Sequence, residues 1–396
     1  MDPKNGLMTD RAEYERLKRA IGRERLPCAL VDLDAFDSNV RRVANLAAGK
    51  SVRVATKSVR SPLLLRRILD HGAPYRGLMC FAATEAAWLA TQGFEDLLVA
   101  YPTVQEADLE ALVSAKTARI VVDCEAHLGA LERKGAERGV TLEAVVDLDV
   151  SYRSVGMHLG VRRSPLRSPE DVVRFLERAR PLAHVRVTGL MAYEAHVAGL
   201  PESGALAAAK RAFKRVAAPR AAELRAQTIA LARSKGFELA LVNAGGTGSL
   251  ATTAAEPAVT EVTAGSAFFA SHLFDHYQGL ALVPSAYFAC QVVRASDPGL
   301  VTVHGGGWIA SGEAGPDRLP LPALPHGLRL VPREGAGEVQ TPLATNGATL
   351  APGDPVFFRH AKAGELSEHV NELLLVRGTE IVGRAPTYRG SGQAFL

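Results

Sequence analysis

The chain has 396 residues, of which 47% are apolar and 22% charged, with a formal net charge of +4. That length holds a large core with room for two domains, and the composition is that of an ordinary globular protein. The 46 lysines and arginines are scattered, no run reaches membrane-spanning length, and the stretch from Met1 to Asn5 has no apolar signal core. Nucleic-acid binding, membrane insertion and export are therefore not expected, and a cytoplasmic location follows by default. Cys28, Cys80, Cys124 and Cys290 lie far apart without a CxxC pair, as reduced core thiols do.

Asp10 to Glu24 reads as a charged amphipathic helix, and Pro27 to Leu33 as a strand. Asp34 then opens a helix with Phe36, Val40, Val43, Ala44 and Ala47 at helical spacing. Strands follow at Val52–Thr56, Gly77–Phe81, Leu97–Tyr101, Ala118–Val122, Leu142–Leu148, Val185–Met191, Leu239–Val242 and Glu261–Ala264. Helices lie between them, for example Thr84–Thr91 with Gly93 as its stop, and one opened by the capping box Ser168-Pro169-Glu170-Asp171. Eight such repeats fit a (β/α)8 barrel of the usual size, about 250 residues. A doubly wound sheet would carry a GxGxxG turn after an early strand, and none is present. After about residue 270 prolines and glycines multiply, and Tyr287–Val293, Leu300–Val303, Leu328–Val331, Pro355–Phe358 and Glu372–Val376 read as a mostly antiparallel β domain. The expected organisation is a barrel over 28–270 and a β domain formed by 1–27 and 271–396. The strand before the first barrel strand is expected to pack with that second domain.

Two stretches carry chemistry. Lys57 ends the strand Val52–Thr56, ahead of the helix start Ser61-Pro62, and so stands at the mouth where barrels place their reactions. A lysine partly desolvated there has its charged form disfavoured, and its amine can form an imine with an aldehyde. The plain alternative is a surface lysine ending a strand. The second stretch, Asn243-Ala244-Gly245-Gly246-Thr247-Gly248-Ser249, follows the seventh strand, where glycines let backbone amides converge on a phosphate. Its alternative is a simple tight turn. A lysine tether and a phosphate cup on one mouth are what pyridoxal phosphate requires.

The ordered set of Val31–Asn39, Thr56-Lys57-Ser58, Asp147–Arg153, Gly189–His196 and Asn243–Ser249 resembles the pyridoxal-phosphate enzymes of the alanine racemase fold. Within them it resembles the D-threonine aldolase and D-serine dehydratase branch. The resemblance implies Lys57 as the Schiff-base lysine and Gly246, Thr247 and Gly248 as phosphate ligands, with Asn243 and Gly245 in the same cofactor-binding loop. It implies Tyr193 near the cofactor and Arg153 near its phenolic oxygen. It further implies a small amino-acid substrate, lyase chemistry on β-hydroxy D-amino acids, and a head-to-tail homodimer.

The chain departs from the branch near its C-terminus. Metal-dependent members carry a His-x-Cys or His-x-Asp pair, giving ligands for a divalent cation. Here the alignments are His360-x-Lys362, preferred because it follows Pro352-Gly353-Asp354-Pro355-Val356, and His369-x-Asn371. A lysine repels a divalent ion, yet its ammonium can supply the positive charge the metal brings. Lys362 is thus a candidate catalytic residue, and metal use stays open, with His360 and His369 as candidate ligands. His304 and Asp317 flank a glycine run that related enzymes project toward the active site, and His304 is a candidate acid or base. Two rivals remain: a racemase using Tyr277, Tyr287 or Tyr388 as second acid/base, and a non-catalytic cofactor carrier, against which the β domain counts.

Overall fold

The computed structural model describes residues 3–204, 206–362 and 364–396. After β1 (Cys28–Asp32) the chain forms β2 (Ser51–Ala55), β3 (Tyr75–Cys80), β4 (Leu97–Val99), β5 (Ala118–Val122) and β6 (Leu142–Asp147). A small hairpin, β7 (Tyr152–Ser154) and β8 (Met157–Leu159), precedes β9 (Val185–Met191), β10 (Leu241–Ala244) and β11 (Glu261–Ala264). β2 to β6 and β9 to β11 close into an eight-stranded barrel, sealed by parallel pairing of β11 with β2 at Val262 and Val52. Alternation along each strand explains the closure. Val52 and Val54 point outward into the shell with Leu64, Leu65 and Ile68, while Leu98, Val121, Val145 and Met191 fill the lumen.

The lumen's N-terminal end is polar and paired. Arg53 Nε donates to Glu261 Oε1 at 2.6 Å and its Nη2 to Asp96 Oδ1 at 3.0 Å. Arg119 bonds Asp96 at 2.7 Å and Glu143 at 2.8 Å, and so extends the network to two more strands. Buried arginines are tolerated because each donor finds a carboxylate or carbonyl.

The rest of the chain builds β12 (Ala286–Asp297), β13 (Leu300–His304), β14 (Leu321–Leu324), β15 (Arg329–Leu330), β16 (Gln340–Ala344), β17 (Pro355–Arg359), β18 (Glu372–Arg377) and β19 (Glu380–Pro386). These pair antiparallel, apart from β1, which lies antiparallel to β12 and parallel to β18 in the same nine-stranded sheet. Cys28–Asp32, although within the span 28–270, is therefore a strand of this sheet, and β2 is the first strand of the barrel. The Asp32 carboxylate accepts the amides of Asp34 and Ala35 and caps the helix Leu33–Leu46, which leads back to the barrel. The helix Pro3–Ala20, which starts earlier than the charge pattern predicts, lays Tyr14 and Leu17 on Leu30, Tyr287, Ala289 and Phe357 of the sheet. No helix among the described residues is long and apolar enough to cross a membrane.

Candidate active site

Lys57 sits in a 3-10 turn (Thr56–Ser58) directly after β2, at the C-terminal mouth of the barrel. The residue is exposed rather than desolvated, and its Nζ donates to the hydroxyl of Tyr101 at 3.4 Å. Arg163, from the segment between β8 and the helix Pro169–Ala179, covers the Tyr101 ring at 5.4 Å. Burial opposes ionisation of that phenol, but the ammonium of Lys57 and the guanidinium of Arg163 outweigh it and hold Tyr101 below its ordinary value.

Counting in twos from the lumen side chains shows what shares this layer: Val121 leads to Asp123, Val145 to Asp147 and Met191 to Tyr193. Their electrostatics agree with that placement. The Asp147 carboxyl is pushed up to about 7 by burial and by Asp123, with Arg163 opposing. Tyr193 is pushed up to about 12, first by burial and then by Glu194, again with Arg163 opposing. Arg163 is thus the cation common to Tyr101, Asp147 and Tyr193. Arg153, expected near the cofactor's phenolic oxygen, stands on the hairpin and pairs with Asp149.

The glycine stretch stands at the same mouth, after β10, the seventh barrel strand. Gly245 takes a left-handed backbone with φ of +81°, which redirects the chain into a 3-10 start at Thr247. A Cβ on Gly246 would lie 3.0 Å from the Tyr193 ring, and one on Gly248 would collide with the carbonyl of Ala198 and the ring of Tyr277. The loop is held from below by Glu194, which is 1% exposed. Its carboxylate accepts the Gly245 amide at 3.2 Å, the hydroxyls of Ser249 and Thr253 at 2.5 and 2.6 Å, and Arg225 Nη1 at 3.0 Å. The Thr247 hydroxyl oxygen accepts the Ala267 amide at 3.2 Å, tying in the loop after β11. A helical start leaves its first amides without intrahelical acceptors, and here these belong to Thr247 and Gly248. That cradle, with the Thr247 proton free to donate, fits a phosphate group. Asn243 differs from the expectation: its amide turns into the lumen and donates to Glu261 at 2.7 Å and Thr263 at 2.9 Å.

From the β domain, Lys362 reaches the mouth. Its Nζ donates to the Ser311 carbonyl at 3.2 Å, and burial, Arg318 and Lys57 hold it below its ordinary value. The other candidates lie elsewhere. His304 is exposed at the end of β13, opposite Gln340. His369 stacks on Trp308 with centroids 4.3 Å apart, and His360 is fully buried, edge-on to Phe269 at 6.0 Å. Asp317 pairs with Arg318 at 3.3 Å. Of the three racemase tyrosines, Tyr287 lies in the core of the sheet and Tyr388 donates to buried Glu85 at 2.8 Å. Only Tyr277 touches the glycine loop, and burial raises its phenol well above the ordinary value. Among the described residues, Asp123, Cys124 and His127 bring ligand-type atoms within 4.8 Å of one another. There His127 Nδ1 lies 3.3 Å from the Asp123 amide nitrogen and 3.1 Å from its carboxylate, an arrangement internal to the helix start.

Residues 31–268, more than half of the chain, match the family "Alanine racemase, N-terminal domain". A D-threonine aldolase from Filomicrobium marinum superposes with a TM-score of 0.81 at 21% identity, over 92% of this chain and 95% of that one. D-threo-3-hydroxyaspartate dehydratase from Delftia sp. HT23 gives 0.72 at 20% identity, over 93% and 98%. Alanine racemase from Clostridium difficile 630 gives 0.66 at 14% identity, over 91% and 99%. A 3-hydroxy-D-aspartate aldolase from Paracoccus denitrificans is 22% identical over 173 residues, so that this chain spans 42% of that relative's length. With the barrel, the β domain and the matched span in agreement, the chain belongs to the alanine racemase N-terminal-domain family, the fold-type III family of pyridoxal-phosphate enzymes.

Proposed function

We propose that the protein is a pyridoxal-phosphate-dependent lyase acting on β-hydroxy D-amino acids. One observation carries the reading: Lys57, with Tyr101 against it and Arg163 over the Tyr101 ring, opens on the same barrel mouth as the phosphate-type cradle anchored by Glu194. Lys57 is the amine that would tether the cofactor's aldehyde, and Gly246, Thr247 and Gly248 would hold its phosphate. When bound, the cofactor takes up the electron pair released at the substrate's Cα. The chain's own residues supply the rest. Tyr193 packs against the cradle, Arg163 sets the charge around Tyr101, and Asp147 and Tyr101 are positioned to hold or move a proton at the mouth.

Cleavage of Cα–Cβ gives glycine and an aldehyde, and loss of the α-proton and β-hydroxyl gives a keto acid and ammonia. The relatives span both outcomes, as aldolases and a dehydratase. The reading includes a head-to-tail homodimer, checked by light scattering. Borohydride treatment of the holoenzyme followed by peptide mass mapping is expected to fix the cofactor on the peptide containing Lys57. Incubation with D-threonine, D-serine and 3-hydroxy-D-aspartate is expected to release aldehyde or keto acid. Fixation elsewhere, or solvent deuterium entering both enantiomers without release of either product, would replace this reading with a carrier or a racemase.

A further inference from the structure

Thr56 and Arg60 bracket Lys57, and the same buried pair holds both. Glu85, the third residue of the helix Ala83–Thr91, is fully buried, and its Oε2 accepts the Phe81 amide at 2.6 Å. A glutamate at that helix position commonly reaches back to the amides ahead of the helix. This one does more. Its Oε1 accepts the hydroxyl of Tyr388 at 2.8 Å, and the Thr56 hydroxyl lies within bonding reach of both Glu85 and Tyr388. Tyr388 in turn donates its amide to the Arg60 carbonyl at 2.8 Å. Arg60 has a left-handed backbone with φ of +52°, a conformation that a residue with a side chain keeps only where its surroundings hold it.

The Thr56 hydroxyl has one proton and two acceptors to choose from. It donates to the Met79 carbonyl at 2.9 Å, which ties the turn to β3. While Glu85 is neutral, the proton on its Oε1 goes to the Thr56 oxygen, and the bond to Met79 is kept. Once Glu85 ionises, Oε1 draws in the Thr56 proton as well as that of Tyr388, and the Met79 carbonyl loses its donor. No cation pairs with Glu85 among the described residues. The titratable groups facing it are Tyr388 and Cys80, both held neutral by burial. Arg53 lies beyond Cys80 in its own pairs with Glu261 and Asp96, and Arg60 covers the Phe81 ring at 5.1 Å while pairing with Glu368. Burial therefore pushes the Glu85 carboxyl up to about 7, against the pull of its hydrogen-bond donors.

We propose that Glu85 is a positioning residue for Lys57: its neutral form fixes the turn through Thr56 and Tyr388, and loss of its proton releases the turn from β3. Lys57 is then best placed while a carboxyl outside the mouth holds a proton. The proposal rests on Lys57 as the tether and adds a regulatory device to that site.

The test compares the parent protein with Glu85→Gln, whose amide copies the neutral acid. The pyridoxal-phosphate dissociation constants of the two, followed by absorbance, are expected to agree near about pH 5.5, with the parent about tenfold weaker by about pH 9. Asp147 also titrates near neutrality, but it is common to both proteins and cancels in the ratio. Thr56→Val is expected to remove the pH dependence, Thr56→Ser to keep it, and Tyr388→Phe to move it to higher pH. In the cofactor-free protein, Lys57 labelling by trinitrobenzenesulfonate, read by peptide mass mapping, is expected to be about threefold faster in the parent than in Glu85→Gln at about pH 8.5, with the rates converging as the pH falls. Infrared titration of the parent is expected to show a protonated-carboxyl band that fades across neutral pH and is missing in Glu85→Gln. Parallel curves for the two proteins in both binding and labelling, or a band that does not titrate, would overturn the proposal. Absence of cofactor absorbance in the parent counts against Lys57 as the tether, whereas the labelling ratio still decides the role of Glu85.

Discussion

Glu194 shows how one buried side chain sets a binding loop. It gathers Arg225, Ser249, Thr253 and the Gly245 amide, and Arg225 is itself fully buried. Glu194→Gln keeps the shape but removes the charge that Arg225 faces. Breaking such a pair is expected to cost about 3 kcal/mol in urea unfolding and to weaken cofactor binding by absorbance titration. Asp147 makes a pH prediction. Its folded pKa, up to about 7, lies above that of an unfolded aspartate, so between about pH 4 and pH 7 the folded chain keeps a proton that the unfolded chain has released. The stability this contributes is fully present below about pH 4 and is lost as the pH rises to 7. Asp147→Asn should therefore gain on the parent protein between pH 4 and pH 8, by up to about 4 kcal/mol. A pH series of unfolding midpoints with a constant gap between the two proteins would contradict this. Lys57 and the glycine stretch were readable in the sequence because each ends an alternating strand. Glu194 and Arg163 were not, since neither residue lies in a pattern that says which neighbours a barrel will bring to it.

At the scale of elements, the turn carrying Lys57 is clamped from behind by the β domain. The Ser367 hydroxyl donates to the Val59 carbonyl at 2.9 Å, the Tyr388 amide donates to the Arg60 carbonyl at 2.8 Å, and Arg60 pairs with Glu368. Gly364 lies so close that a Cβ there would collide with the Lys57 carbonyl. Gly364→Ala is expected to cost roughly 1–3 kcal/mol through overpacking and to displace the turn. The readout is a weaker cofactor dissociation constant with unchanged far-ultraviolet circular dichroism. The barrel strands were legible because both faces are buried and their apolar runs are nearly continuous. The hairpin β7–β8 was not, with three-residue strands that are largely exposed, nor were β14 and β16, each interrupted by a proline, or β19, a polar edge.

For the molecule as a whole, the two ends of the barrel have opposite tasks. The N-terminal end is locked by Arg53, Asp96, Glu261 and Arg119, and Glu261 also takes the Asn243 amide. Glu261→Gln is expected to destabilise the fold by about 3 kcal/mol or more while leaving the affinity of folded protein for cofactor unchanged, as a paired unfolding and absorbance measurement would show. The C-terminal end bears Lys57 and the glycine loop. Which domain each segment joins could be read only in part, because pairing of β1 with β18 links residues hundreds of positions apart, and no local pattern records it.

The clamp behind Lys57 also has a consequence for biosynthesis. Phe395 packs on Phe81 and Trp88, and Tyr388 packs on Trp88 and donates its amide to the Arg60 carbonyl, so residues translated long after the barrel brace the turn that carries Lys57. A nascent chain halted on the ribosome after the barrel has emerged would carry every cradle residue yet lack the brace for its lysine. Such an intermediate should capture the vitamin-derived aldehyde poorly until translation passes Tyr388, which makes cofactor loading follow synthesis of the β domain.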